Sequence, residues 1–273
     1  MRVRLVCWNL AGRVRLLDEQ VREVLSVGAE LVCLQELTAT TLPRWRAALA
    51  DAGYLGIEHA AGDGERQRPL SVLTASRVAQ RRVEVEGVPW PERVLASRLS
   101  DGIEVINVHS PISPKPNEAK LRTHLAVHAH LAADVPHPRL LCGDLNTPRR
   151  ELPDGTIWTF ARDRYGRLRP ERGERWEQAE LSLLRGLEPY GFSDAFRRCH
   201  GPELREISWG WPRWKGGYRL DHLIVAGFSV HECRYEHSWR ERGLSDHSAL
   251  LATLQPDSRF ASANTGTATE TPT

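Results

Sequence analysis

The residues able to do chemistry in this chain gather where short apolar runs stop. "VRLVCWN" ends at Asn9, "LVCLQE" at Gln35 and Glu36, "INVH" at Asn107 and His109, and "LLCGDLN" at Asp144 and Asn146. "RLDH" supplies Asp221, and "LSDH" supplies Asp246 and His247. Carboxylates, amides and imidazoles are expensive to bury without partners. Taken singly, each of these residues reads first as a turn or cap. Six such clusters become a site only if the runs are strands whose ends converge, and spacing alone does not show convergence.

Several carboxylates beside amides, with no cysteine in the set, suit a hard cation held through oxygen, Mg²⁺ or alternatively Mn²⁺. Such an ion neutralises charge on a phosphoryl oxygen and helps supply a hydroxide nucleophile. A carboxylate that takes a proton from water and a protonated histidine beside the phosphate complete the requirements for phosphodiester hydrolysis. The chain has no glycine-rich phosphate loop, no G-x-S-x-G and no H-E-x-x-H. Nucleotide-triphosphate motors, serine hydrolases and zinc proteases are thereby disfavoured.

The elements that must position these residues are strands. Runs at 3–8, 29–35, 69–75, 93–99, 103–109, 139–144, 219–226, 229–236 and 247–254 are of strand length, with Gly, Pro or Asp at their borders. Helical spacing appears around Leu16, Val21, Val24 and Leu25, in "LPRWRAALADAG", and over 117–135 and 175–191. Two sheets packed face to face under helices fit this order, and so does one mixed sheet. No break in composition divides residues 1–255, which read as one domain. The tail, 256–273, is rich in Ser, Thr, Ala and Gly, a composition that predicts disorder.

The 273 residues are 41% apolar and 26% charged with a net charge of +2, a soluble balance without a global positive field. Five cysteines, an odd number with no C-x-x-C, point to reduced thiols in a cytoplasmic protein. No run approaches the ~20 apolar residues of a membrane span, and a monomer is expected.

The ordered set "CWNLAG", "LVCLQE", "INVHS", "LCGDLN", "RLDHLIV" and "LSDHSALLATL" resembles the endonuclease/exonuclease/phosphatase superfamily, from about Arg2 to Leu254. Within it, the stretch from "GFSDAFRR" to "GYRLDHLIVA" is most similar to exodeoxyribonuclease III and the apurinic endonucleases. The resemblance implies a four-layer α/β/β/α sandwich with the site at the sheet edges. It also implies roles. Glu36 would be the main metal ligand, with Asn9 alongside and Asp246 next to a metal position. Asp144 would orient or deprotonate the attacking water, and Asn146 would hold that water or the phosphate. Asp221 would fix the His247 imidazole as a cation facing the scissile phosphate, and His109 would touch phosphate or leaving group. Two departures separate the chain from the apurinic branch: His109 stands where Tyr is usual, and no acid follows Asn9 at two or three residues.

For substrate, "REISWGWPRWKGGYR" mixes aromatic and cationic side chains, a combination that can stack bases and hold phosphates. Trp209 reads mostly as core; Trp211, Arg213 and Trp214 read as substrate contacts, as does Lys115 after His109. Three functions stay open: a DNA nuclease, a phosphatase or phosphodiesterase acting on small or lipid phosphoesters, and a binding protein without catalysis.

Overall fold

A computed structural model describes residues 2–61, 70–112, 118–210 and 216–258. Lys115, Trp211, Arg213, Trp214 and the tail from 259 onward lie outside the described residues. The chain begins with β1 (Val3–Asn9), α1 (Leu17–Ser26), β2 (Leu31–Leu37), α2 (Leu42–Asp51), β3 (Gly56–His59) and β4 (Ser71–Ser76). Next come β5 (Gln80–Val83), β6 (Val94–Leu99), β7 (Glu104–His109), α3 (Glu118–Leu131) and β8 (Arg139–Asp144). A hairpin of β9 (Arg150–Glu151) and β10 (Ile157–Trp158) precedes α4 (Gly173–Leu184), β11 (Ser193–Asp194) and α5 (Ala195–His200). The short pair β12 (Trp209–Gly210) and β13 (Gly217–Tyr218) leads into β14 (Asp221–Ala226), β15 (Phe228–Glu236), α6 (His237–Glu241) and β16 (Ala249–Pro256).

Two six-stranded mixed sheets result, ordered β15-β16-β1-β2-β4-β3 and β11-β14-β8-β7-β6-β5. Only β1–β2 and β7–β8 pair in parallel; the other pairs in these two sheets are antiparallel.

The two-residue period of a strand decides the layers. On β1, Leu5 and Cys7 face the other sheet and pack with Val105, Leu140, Cys142 and Leu223. The alternate residues, Val6 and Trp8, pack with Val21 and Val24 of α1 and Trp45 of α2. On the second sheet, Ile106, Val108, Leu141 and Ile224 meet Val127 and Leu131 of α3 and Leu183 of α4. The order is therefore helix, sheet, sheet, helix, so of the two arrangements compatible with the sequence the double sheet is the one formed. Cys7, Cys33, Cys142 and Cys233 are buried free thiols, and Cys199 is exposed and free.

A polar bridge ties the sheets together near one edge. Gln35 on β2 donates through Nε2 to Asn107 Oδ1 on β7 at 2.8 Å, and Asn107 Nδ2 donates to the Leu73 carbonyl at 2.9 Å. Both side chains are fully buried, so the bond satisfies groups that would otherwise destabilise the interior. It also fixes the end of β2 against β7, where the polar clusters lie.

The expected helix over 175–191 stops at Leu184, and a separate 3₁₀ turn covers Glu188–Tyr190. The chain leaves the helix at Arg185, and the Gly186 amide closes it by donating back to the Leu181 carbonyl at 3.0 Å. Among the described residues no helix is long and apolar enough to cross a membrane.

Candidate active site

Strand register brings the polar ends together. His109 on β7 pairs with Asp144 on β8, and Asp144 pairs with Asp221 on β14, so three clusters form one row. Gly143 permits it: at φ +130° a β-carbon would sit 1.9 Å from the Val108 carbonyl oxygen. Any side chain there would push β8 off β7 and separate Asp144 from His109. The other sheet contributes Asn9 from the end of β1 and Glu36 from β2. His247 arrives in the turn before β16, which Ser245 anchors by donating to the Asn9 carbonyl at 2.6 Å. The Trp8 indole adds a hydrogen bond to the His247 carbonyl at 3.0 Å.

Hydrogen bonds set each side chain. Asn9 Nδ2 donates to Glu36 Oε1 at 3.1 Å and to Asp144 Oδ2 at 3.0 Å, while its Oδ1 accepts from the Ala11 amide at 2.9 Å. The Asn146 amide donates to Asp144 Oδ1 at 2.9 Å, and Asn146 Nδ2 to the Ser110 carbonyl at 2.7 Å. His247 Nδ1 lies 2.8 Å from Asp221 Oδ2, and its Nε2 lies 3.8 Å from Asp144 Oδ2. His109 Nε2 is 3.3 Å from Glu36 Oε1 and 3.9 Å from Asp144 Oδ2.

The backbone is strained here and nowhere else among the described non-glycine residues. Ala11, Glu36 and Asn146 hold φ of 53°, 60° and 51°, and all three line one cavity. Left-handed conformations at non-glycine residues cost on the order of 1–3 kcal/mol each and persist where the surroundings enforce them. For Glu36 the strain accompanies a register shift between Leu34 and Leu37, which breaks the pairing with β4.

Electrostatics separate the roles. Burial pushes the Asp144 carboxyl up to about 7; the His247 charge opposes the rise, and Asp221 and Glu36 reinforce it. Burial likewise raises Glu36, against its Asn9 hydrogen bond and the His247 charge. Burial disfavours the His247 cation, but the charge and hydrogen bond of Asp221, then Asp144 and Asp246, outweigh it and lift the imidazole to about 10. The arrangement holds a cation on His247 and a proton acceptor on Asp144, poised near neutrality, side by side.

Glu36, His109 and Asp144 each offer a donor atom within 4.8 Å of the others, close enough to share one divalent ion. Two carboxylates and an imidazole fit such an ion chemically, since its charge would offset the burial that raises both acids. This grouping differs from the set Asn9, Glu36 and Asp246 drawn from the sequence. Asn9 turns its nitrogen to the carboxylates and so orients them. Asp246 lines the same cavity but accepts the Trp209 indole hydrogen bond at 3.0 Å.

The cavity holds about 530 Å³ and is lined by Glu36, Asp144, Asn146, Asp246 and His247, with Phe160, Trp209, Tyr218 and Leu220 as apolar walls. Trp209 is thus a wall residue and not core; it is only half-buried and stacks on Tyr218 at 6.0 Å. Sequence reasoning missed Arg93, whose Nη1 lies 3.0 and 3.1 Å from the two ring nitrogens of His109. No pattern around "WPERV" marks it. Lys120 on α3 also supports the site. It is buried, donating to the Asn146 carbonyl and to Glu180 Oε1, both at 2.7 Å. Glu180 also accepts from Thr147, the Phe160 amide and Trp176, so one saturated ion pair supports both Asn146 and the Phe160 wall.

Several solved structures share this architecture. An AP endonuclease from Archaeoglobus fulgidus is 20% identical, with a TM-score of 0.68 over 92% of this chain and 98% of its own. A humanized D. rerio TDP2 is 14% identical, with a TM-score of 0.64 over 93% and 99%. An endonuclease/exonuclease/phosphatase from Beutenbergia cavernae is 15% identical, with a TM-score of 0.63 over 94% and 72%. At these identities the likeness establishes the fold. No curated protein matches the sequence. A family model matches residues 6–247, a span that includes every strand end contributing to the site, and the chain belongs to the endonuclease/exonuclease/phosphatase family.

Proposed function

We propose that this chain hydrolyses phosphodiester bonds with a divalent cation, Mg²⁺ first and Mn²⁺ as the alternative, and that its substrate is DNA, cut during repair or processing. The observation that carries the reading is the Asp221–His247 pair set against Asp144 at the floor of the cavity. A phosphate held there meets a hydrogen-bond donor on His247. A water beside it meets a carboxylate whose affinity for protons lies near neutral pH, which is where a general base is most effective. Asn146 fixes the Asp144 carboxylate through its amide, and Asp221 keeps His247 in its cationic form. Glu36 and His109 would hold the cation beside Asp144, which is left to take the proton; when bound, the cation supplies positive charge to a phosphoryl oxygen and acidifies water. Residues 1–255 would act as one catalytic domain of a cytoplasmic monomer.

A second reading, hydrolysis of a small or lipid phosphoester, is favoured by the cavity itself. A space of about 530 Å³ with three aromatic walls suits one compact group beside the phosphate. Turnover of plasmid, single-stranded, abasic and nicked DNA, RNA and bis-p-nitrophenyl phosphate, each with Mg²⁺ or EDTA, separates the readings. Mg²⁺-dependent cutting of DNA supports the first, and turnover of the small diester alone supports the second. Activity that survives EDTA undiminished contradicts both.

A further inference from the structure

A second cavity of about 470 Å³ adjoins the first, and Tyr218 lines both. The same two segments wall both cavities with different residues. Phe160 and Leu220 face the catalytic cavity, while Trp158 and Arg219 face the second. The second cavity opens directly after the catalytic loop, since Pro148, Arg149 and Arg150 follow Asn146 at two to four residues.

Its charges fall into two groups. At the floor, Glu151 is held by Arg219 at 2.6 Å and by Arg197 at 2.8 Å, so those guanidiniums are committed to the fold. On the walls stand Arg149, Arg150, Arg164 and Arg205, none of which pairs with a carboxylate among the described residues; Arg164 instead donates to the Tyr165 hydroxyl. Arg150 rests over the Trp158 ring at 5.5 Å, which orders it without neutralising it. Of the remaining acids, Glu206 is occupied by His237 at 3.2 Å, and Glu203 is an exposed rim residue. Four guanidiniums without a carboxylate partner beside one unpaired carboxylate form an anion site, and guanidinium forks match phosphate oxygens. A chain otherwise balanced at +2 concentrates uncompensated positive charge next to its reactive centre.

We propose that this second cavity binds a further phosphate of the strand whose scissile phosphate lies at Asp144 and His247, with Arg149, Arg150 and Arg205 as its contacts. The inference rests on the hydrolase reading and decides between its two substrates. An enzyme for a small ester with one phosphate has no use for a second anion site, whereas a polynucleotide carries phosphates in series.

The test is binding of a fluorescent single-stranded DNA oligonucleotide to the Asp144→Asn protein, over a series of salt concentrations. Adding Arg149→Ala, Arg150→Ala and Arg205→Ala is expected to weaken binding about tenfold or more. It should also reduce the slope of log affinity against log salt by about 0.7, the contribution of one neutralised phosphate on a single strand. Glu203→Gln should move affinity the other way by about twofold. With Asp144 intact, the triple substitution should lower the ratio of kcat/KM for the oligonucleotide to that for bis-p-nitrophenyl phosphate. Unchanged affinity and salt slope, or an equal fall for both substrates, would overturn the proposal. So would an Asp144→Asn protein that binds no oligonucleotide while the unaltered protein turns over the small diester, and that result leaves the hydrolase reading intact. Absence of turnover on every substrate would instead sink the hydrolase reading.

Discussion

Two buried charge clusters meet at β14 and behave in opposite ways. Asp221 and His222 are neighbours on β14 and point to opposite faces. Asp221 serves His247 and the cavity. His222 Nδ1 lies 3.1 Å from Asp194 Oδ2, in a cluster where Arg219 bridges Asp194 at 2.9 Å and Glu151 at 2.6 Å. In that second cluster burial would raise the acids, but Arg219 and its partners outweigh it. Glu151 falls to about 2 and Asp194 lies still lower. In the first cluster burial wins, and Asp144 rises to about 7. The depth of burial is similar; the supply of cations differs. A cluster with its charges matched fixes geometry, while one short of positive charge keeps room for a cation and a titratable base.

The sharpest break of this contrast is Asp221→Asn. It should lower kcat by about 10²–10⁴, the range for loss of a positioned acid–base group. The His247 imidazole, followed by NMR titration, should fall from about 10 towards its ordinary value. If His247 titrates unchanged in the variant, the pair does not set its charge. In the other cluster, Asp194→Asn should destabilise the fold by about 1–3 kcal/mol, because it removes the carboxylate that joins Arg219 to His222 and leaves Arg219 with Glu151 alone. Chemical denaturation measures it, and a loss under 1 kcal/mol would erase the distinction drawn above.

Stability against pH sharpens the comparison further. Glu151 and Asp194 have folded pKa values below their unfolded ones. Their stabilisation is full above about pH 4 and is lost as pH falls towards 2. Asp144 runs the other way. Its folded value of about 7 exceeds the unfolded one, so stability declines as pH rises from about 4 to about 7. Metal-free Asp144→Asn should therefore be more stable than the unaltered protein above pH 7, with the difference shrinking towards pH 4. Denaturation midpoints across that window check the sign. The smallest effect is expected of Trp209→Phe, which removes the hydrogen bond to Asp246 and should raise KM less than about tenfold with kcat nearly constant.

The strand ends were legible because alternating apolar runs mark strands, and polar residues at their borders stand out. Convergence was not, because it depends on register, on the close approach at Gly143 and on the Gln35–Asn107 bridge across the sheets. Arg93 reaches His109 from a 3₁₀ turn that no periodicity predicts. Trp209 was misread because tryptophan composition suggests core, whereas its indole serves a carboxylate at the cavity wall. The Lys120 ion pair is likewise invisible in the sequence, since only the fold brings Glu180, sixty residues away, to it.

The most direct test of the central claim is Mg²⁺-supported turnover of bis-p-nitrophenyl phosphate and of DNA by the Asp144→Asn protein, with folding checked by its thermal transition. The account predicts a fold at least as stable as the unaltered one and turnover reduced by about 10² or more on every substrate the unaltered protein cleaves. Turnover within a few-fold of the unaltered protein would contradict it.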